Sequence, residues 1–456
     1  MATPAQQAER ERAQIFPKDL THPEVGRRVA LIPLQYPHPR RWWIGFGIAG
    51  ALVLLWAVSV IWLFWQGVGV WGVQMPVFWG LAISNYVWWI GMGHAGTLIS
   101  ALLLLINQGW RNSLNRFAEA MTVFAVLMAA MYPLLHLGRP WLFYWLLPYP
   151  NTMAVWPQFK SPLVWDVFAV GTYLIVSVLF WYIGLIPDLG SVRDRAKRRG
   201  AQVFYGILAL GWRGSARHWK RWQISYWICA GLAVPLVVSV HSGVSLLFAV
   251  SIEPGWHTTI FPVYFVLGAV FEGFAVVMLI TITLRATFGF YELVTERHLD
   301  ILAKLILATG LMTSYGYAFE AFHAWYSGDE FERQTLLDRV FGDYAWAYWA
   351  TLICNALAIQ LLWFRALRRR VWLLFTVAAL VTFGMWTERF MLVTTTLYRD
   401  YLPSAWQFYW PSFWEWTLFL GTIGLFFFLF FLFVRLLPMI SIFEVKEVLH
   451  EEKQRG

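Results

Sequence analysis

Ten long apolar runs organise this chain, near residues 44–66, 77–106, 117–137, 163–186, 224–252, 260–291, 299–327, 344–367, 371–398 and 413–437. An α-helix needs about 20 mostly apolar residues to cross a bilayer, and every run is long enough. The runs are continuous rather than alternating, which argues against strands. In lipid, a helix satisfies its own backbone groups without water. The pattern therefore predicts an all-α integral membrane protein with ten transmembrane helices. It divides the chain into an N-terminal arm (1–43), a membrane domain (44–437) and a C-terminal tail (438–456). Pro17, Pro23, Pro33, Pro37 and Pro39 predict that the arm is an extended strap. Met75-Pro76-Val77-Phe78 before span two echoes Phe261-Pro262-Val263-Tyr264 before span six. His241 and Glu388 also lie at similar depth in spans five and nine. The echo predicts two four-helix bundles, spans 2–5 and 6–9, flanked by spans 1 and 10.

Composition and charge sharpen this picture. The chain is 59% hydrophobic, 19% aromatic and 13% charged, with a mean hydropathy of +0.55, which excludes a soluble fold. With ten spans, 29 of the 35 basic residues fall on the side of the N-terminus. Arg27, Arg28, Arg40 and Arg41 of the arm, Arg193 to Arg221 of the 187–223 loop and Arg365 to Arg370 are examples. Positive charge stays inside, so both termini are expected on the cytoplasmic side. The net charge of +9 reflects insertion and not nucleic-acid binding. No cleavable signal is visible. The 187–223 loop, with Tyr205 to Trp212 between basic clusters, is expected to hold a short amphipathic helix on the membrane. The acidic 328–343 loop and the aromatic 138–162 segment are expected on the outer face. Only Cys229 and Cys354 occur, with no CxxC or CxxCH pattern, so neither a disulfide framework nor a haem or iron–sulfur centre is expected in the chain.

Against this apolar background, ionisable residues inside the runs carry the chemistry. His94, His136, Asp166, His241, Glu272, Glu320, His323, Glu388 and Arg389 lie within or at the rims of spans, where each costs roughly 2.5–3.5 kcal/mol or more. Depth estimates place most of them in the outer half of the membrane and leave the cytoplasmic half poorer. Quinol oxidation needs such a site, because two protons must be accepted from the head group by a His or carboxylate. His136 at the outer end of span three and Asp166 near the start of span four are the expected catalytic pair, the carboxylate orienting the imidazole. The bland alternative is that both cap helix ends, although Ser161-Pro162 already supplies a cap for span four. His94, Glu272, Glu320, His323 and Glu388, with Tyr315 and Tyr317, are expected along a proton path. Glu388 and Arg389 are neighbours in sequence, so at least one is expected to look to another helix.

The phrase His136-Leu137-Gly138-Arg139-Pro140-Trp141, followed by an aromatic stretch and Ser161-Pro162-Leu163, resembles the NrfD/polysulfide-reductase membrane-subunit family. Gly93-His94-Ala95-Gly96-Thr97, Ser239-Val240-His241-Ser242-Gly243, ten spans and the long arm look most like the large quinol-binding membrane subunit of bacterial alternative complex III. The resemblance implies oxidation of a quinol, menaquinol above all, at His136 and Asp166, with His241 and Arg389 near it. It implies electron transfer at the outer face to an iron–sulfur subunit and then to multihaem cytochrome c subunits. A homologous second membrane subunit and proton translocation are implied with it, in a respiratory or photosynthetic complex of a bacterial inner membrane. Two other readings stay open. A b-type cytochrome would use His94 and His241 as axial ligands, and a proton or ion transporter would show helices broken at the midplane.

Overall fold

The computed structural model describes residues 15–17, 19–146, 160 and 162–455, all helices, turns and loops with no strand among them. Ten helices are long and apolar enough to cross a membrane. In chain order the helices are α1 (His22–Gln35), α2 (Pro39–Gln66), α3 (Gly80–Leu105), α4 (Asn115–His136), α5 (Pro162–Arg195), α6 (Arg199–Leu208) and α7 (Ala216–Ala249). They continue as α8 (Phe261–Phe288), α9 (Glu296–Tyr326), α10 (Glu330–Phe341), α11 (Ala345–Trp363), α12 (Val371–Leu397), α13 (Phe413–Leu436) and α14 (Ile442–Arg455). Their ends carry recognisable stops. Ser412 and Glu415 form a capping box that opens α13, Asp329 accepts the Phe331 and Glu332 amides to open α10, and a left-handed Gly289 closes α8.

Burial ranks the spans. In α3 and α8, 78% of the apolar window lies inside the molecule, whereas in α2 the share is 11%. The central seam is thus α3 against α8, and α2 lies at the lipid edge paired with α13. Around it, α4 packs on α3, α7 on both α5 and α8, α9 on α8, and α12 on both α3 and α8. Glycines set the approach at the seam: a Cβ on Gly273 of α8 would meet the Ala95 Cβ at 2.5 Å and the Met92 carbonyl at 2.9 Å.

Two expectations about the polar segments change, and the tail takes on a fold of its own. The arm is not an extended strap, because residues 22–35 form helix α1. Pro23 stands at its first turn, where no amide is lost, and Val25, Val29, Ala30 and Ile32 are buried. The acidic 328–343 segment is largely the helix α10. The tail folds as α14, packs on α1, and Glu452 accepts the Ile15 amide at 2.7 Å. By contrast, the amphipathic helix expected in the 187–223 loop is present as α6, with Val203, Phe204 and Ile207 exposed. Most of the 138–162 segment, Ser161 included, lies outside the described residues.

Candidate functional site

Away from the termini, α3, α4 and α5 converge. The His-Leu-Gly-Arg-Pro phrase has a plain structural basis there. His136 is the last residue of α4, Gly138 reverses the chain at φ +64°, and Pro140 opens a short 3-10 turn. A Cβ at Gly138 would stand 2.8 Å from the Val68 side chain, so both its conformation and its space call for glycine. His136 is partly exposed, its Nε2 lies 3.2 Å from the Phe78 carbonyl oxygen, and Trp71 stands beside its ring.

Asp166 is buried in the first turns of α5. Its Oδ2 accepts a hydrogen bond from the Tyr86 hydroxyl of α3, and its Oδ1 is buried with no partner. Tyr86, rather than His136, is therefore the group that holds Asp166. Sequence reasoning missed Tyr86, because a tyrosine in an aromatic-rich span gives no signal until the helices are placed.

A second group lies deeper, around the α3–α8 seam. His94 is fully buried, with Nδ1 2.6 Å from the Ile90 carbonyl oxygen and Nε2 3.1 Å from the Val237 carbonyl oxygen of α7. A neutral imidazole donates once, so one of these carbonyls faces a bare nitrogen unless the ring carries a second proton. The His241 ring lies 4.5 Å away, and both of its nitrogens are buried without a partner. Phe265 bridges onward, its ring 5.8 Å from that of His241 and 4.3 Å from the Arg389 guanidinium. The Arg389 Nη1 donates to Glu388 Oε1 at 2.7 Å, while Nε and Nη2 find no acceptor.

Glu388 does look to other helices. It accepts the Tyr264 hydroxyl from α8 and the Tyr317 hydroxyl from α9, each at 2.6 Å. Glu272 is buried with neither oxygen partnered, against Gly91 of α3. Buried polar groups normally find partners. His241 and Glu272 have none, and Arg389 leaves Nε and Nη2 without an acceptor. Of the expected quinol residues, His241 and Arg389 belong to this interior group, and no hydrogen bond joins either to His136 or Asp166 among the described residues.

From Tyr317 the polar groups continue to a small cleft lined by Tyr317, Glu320, Arg339 and Tyr348. Glu320 is paired with Arg339 of α10, which also donates to Thr395 and Thr396. His323 lies further along α9, stacked on Phe319. Tyr315 is 64% exposed and faces outward, away from this group.

The expected poverty of the other half needs correcting. On the side where α1 and α14 pack, Arg111, Arg116, Glu119, Asp188 and Glu444 are buried together in one ion cluster. The available signal was Arg116 and Glu119, spaced i, i+3 in one span, with Asp188 still inside a helix after Pro187.

The haem reading does not fit the geometry. Axial ligation would need a porphyrin between the His94 and His241 rings, whose centroids are 4.5 Å apart, and both His94 nitrogens already face carbonyl oxygens.

Residues 69–399 match the family model described as "Polysulphide reductase, NrfD". The chain is 23% identical over 384 residues to a selenate reductase subunit of Mesobacillus selenatarsenatis, covering 80% of this chain and 86% of that protein. It is 25% identical over 376 residues to a putative dimethyl sulfoxide reductase membrane subunit of Halobacterium salinarum, covering 79% and 80% respectively.

Proposed function

The chain belongs to the polysulphide reductase NrfD family, and from that premise we propose that it is the quinol-binding, quinol-oxidising membrane subunit of a larger redox complex. Its relatives are named as subunits of reductases, which supports redox centres in partner subunits. The partners in this reading are an iron–sulfur protein on the face away from the termini, multihaem cytochromes beyond it and a second, homologous membrane subunit. The charge asymmetry supports cytoplasmic termini in a bacterial inner membrane.

One observation carries the reading: a buried carboxylate, Asp166, held by Tyr86 at one oxygen and without a partner at the other. A menaquinol head group donates one hydroxyl to the free Oδ1. If Nε2–H of His136 donates to the Phe78 carbonyl, Nδ1 is left as the acceptor for the second hydroxyl. Oxidation releases two protons to these groups and two electrons to the partner's cluster. The interior group of His94, His241, Glu272, Glu388 and Arg389, with the Glu320 cleft, then serves a proton movement coupled to that oxidation. His241 and Arg389 are assigned to this task and not to the head group.

The test is quinol-dependent electron transfer in the assembled complex. Asp166→Asn and His136→Ala should each slow it by about an order of magnitude or more, the size of a lost general base, with assembly intact. Tyr86→Phe should have a smaller effect in the same direction. Normal turnover in both the Asp166 and His136 variants would move the site elsewhere.

A further inference from the structure

The ion cluster on the terminal side is not used by the mechanism above. Its members come from the turn 109–113 (Arg111), α4 (Arg116, Glu119), α5 (Asp188) and α14 (Glu444), and each exposes 4% or less of its side chain. Arg116 is the hub. Its Nε donates to Asp188 at 3.1 Å, Nη1 to Glu119 and to the Tyr226 hydroxyl at 3.2 Å each, and Nη2 to the Ser441 hydroxyl at 3.2 Å. Nη2 also lies 3.4 Å from Glu444. Arg111 pairs with Glu444 and donates to the Ser100 carbonyl at 3.2 Å. Lys446 and Glu447 flank Glu444 on α14.

Two guanidiniums here face three carboxylates. Ionised throughout, the cluster would bury one uncompensated negative charge, which is strongly unfavourable away from water. The donor sets say where a neutralising proton rests. Asp188 accepts from Arg116 and from the Ile442 and Phe443 amides. Glu444 accepts from Arg111 and Asn115 and lies within ion-pair reach of Arg116. Burial pushes the Glu444 carboxyl up, but Arg111 and Arg116 more than offset this and hold it below its ordinary value. Glu119 has the poorest set, one guanidinium nitrogen at 3.2 Å and the Tyr226 hydroxyl at 3.1 Å. A second observation is independent of the charge count. The side-chain oxygens of Asn112 and Asn115 are buried in the same place with no donor facing them, so the cluster contains acceptors that only water or a protonated group can satisfy.

We propose that Glu119 is a proton-holding site, loaded from the aqueous phase on the terminal side and placed to feed the His94–His241 pair. Thr122 stands one turn further along α4 and donates to the Gly93 carbonyl at 2.7 Å. The same carbonyl accepts the Tyr173 hydroxyl at 3.1 Å, and the Tyr173 ring lies 5.4 Å from His94. The feeding step rests on the proton coupling proposed above, whereas the holding of a proton does not.

Infrared spectroscopy of the purified protein tests the holding directly. The Glu119→Gln minus wild-type difference spectrum should show the loss of one carboxylic-acid carbonyl band that shifts in D2O. Asp188→Asn balances the charges and should remove the same band, by letting Glu119 ionise. If Glu119→Gln fails to assemble, Glu119→Asp is read by a displacement of that band. Loss of a carboxylate band instead, or survival of the acid band in Asp188→Asn, would overturn the assignment. In vesicles, Glu119→Gln should keep electron transfer while proton uptake per electron falls about ten-fold or more. Unchanged uptake would overturn the feeding step. If quinol turnover is absent even in the wild type, the functional reading fails while the infrared result still stands.

Discussion

His94 and His241 meet with ring centroids 4.5 Å apart, the first with both nitrogens on carbonyl oxygens and the second with both nitrogens on nothing. The two histidines should therefore answer mutation in opposite ways. His94→Ala removes the bridge from α3 to the Val237 carbonyl and should lower stability by about 1–3 kcal/mol. His241→Leu replaces two unsatisfied nitrogens by an apolar side chain and should leave stability unchanged or slightly raised, yet abolish coupled proton release. Thermal unfolding in detergent and proton release from vesicles check the pair. A His241→Leu protein that unfolds as early as His94→Ala, or releases protons normally, contradicts the assignment.

The interior carboxylates divide in the same way. Glu388 is held by Tyr264, Tyr317 and Arg389, and Glu388→Gln strips the buried guanidinium of its counter-charge. Breaking a buried pair on one side costs about 3–5 kcal/mol. Glu272 makes no hydrogen bond and reaches Arg389 only through its charge, so Glu272→Gln should cost clearly less than Glu388→Gln. Both variants should impair proton movement more than electron transfer. Denaturation curves together with the proton-to-electron ratio decide the matter, and a loss in Glu272→Gln as large as in Glu388→Gln would rule the distinction out.

Close helix packing makes a third prediction. A Cβ on Gly96 would stand 2.3 Å from the Ala118 carbonyl oxygen and from the Thr122 hydroxyl. Backbone cannot give way there as a flexible side chain can, so Gly96→Ala should cost about 1–3 kcal/mol or more and reduce assembled yield. Gly243 on α7 has nothing within 4 Å, and Gly243→Ala should be harmless. Yield and unfolding temperature of the two variants provide the comparison.

Orientation is checked by labelling. A cysteine replacing Glu330, at the start of α10, should react with a membrane-impermeant thiol reagent added outside whole cells. One replacing Arg198, between α5 and α6, should not. The native Cys229 and Cys354 lie half-buried and buried in their helices, and a wild-type control removes their contribution. The reverse pattern would invert the assignment of faces.

The ten spans were readable in the sequence because apolar length is a property of each segment alone. Bounds such as 371–398 against Val371–Leu397 agree within a residue. Where polar residues belong to a helix, the reading fell short. Helix α5 runs on to Arg195 through Pro187, and α7 begins at Ala216, well before its apolar run. The ionisable residues of the interior were legible one at a time, since each is costly in lipid. Their partners were not. Tyr86 beside Asp166 and Tyr264 beside Glu388 are joined only by packing between helices distant in sequence, and an i, i+3 or apolar pattern carries no trace of it. Glu444 shows the limit most clearly, because a glutamate in a polar tail has every reason to be in water until α14 is seen to carry it inside.

That placement bears on the order in which the molecule is made. Arg111 and Arg116 leave the ribosome with the third span, whereas Glu444 follows all ten. Glu119 comes with Arg116 and Asp188 with the fourth span, but the carboxylate that pairs with Arg111 is made only after the tenth span. The membrane domain therefore reaches its final electrostatic balance not during insertion but after translation has passed beyond it, when α14 folds back onto the bundle. Closure of this part of the interior thus depends on a segment that lies beyond the last span in sequence.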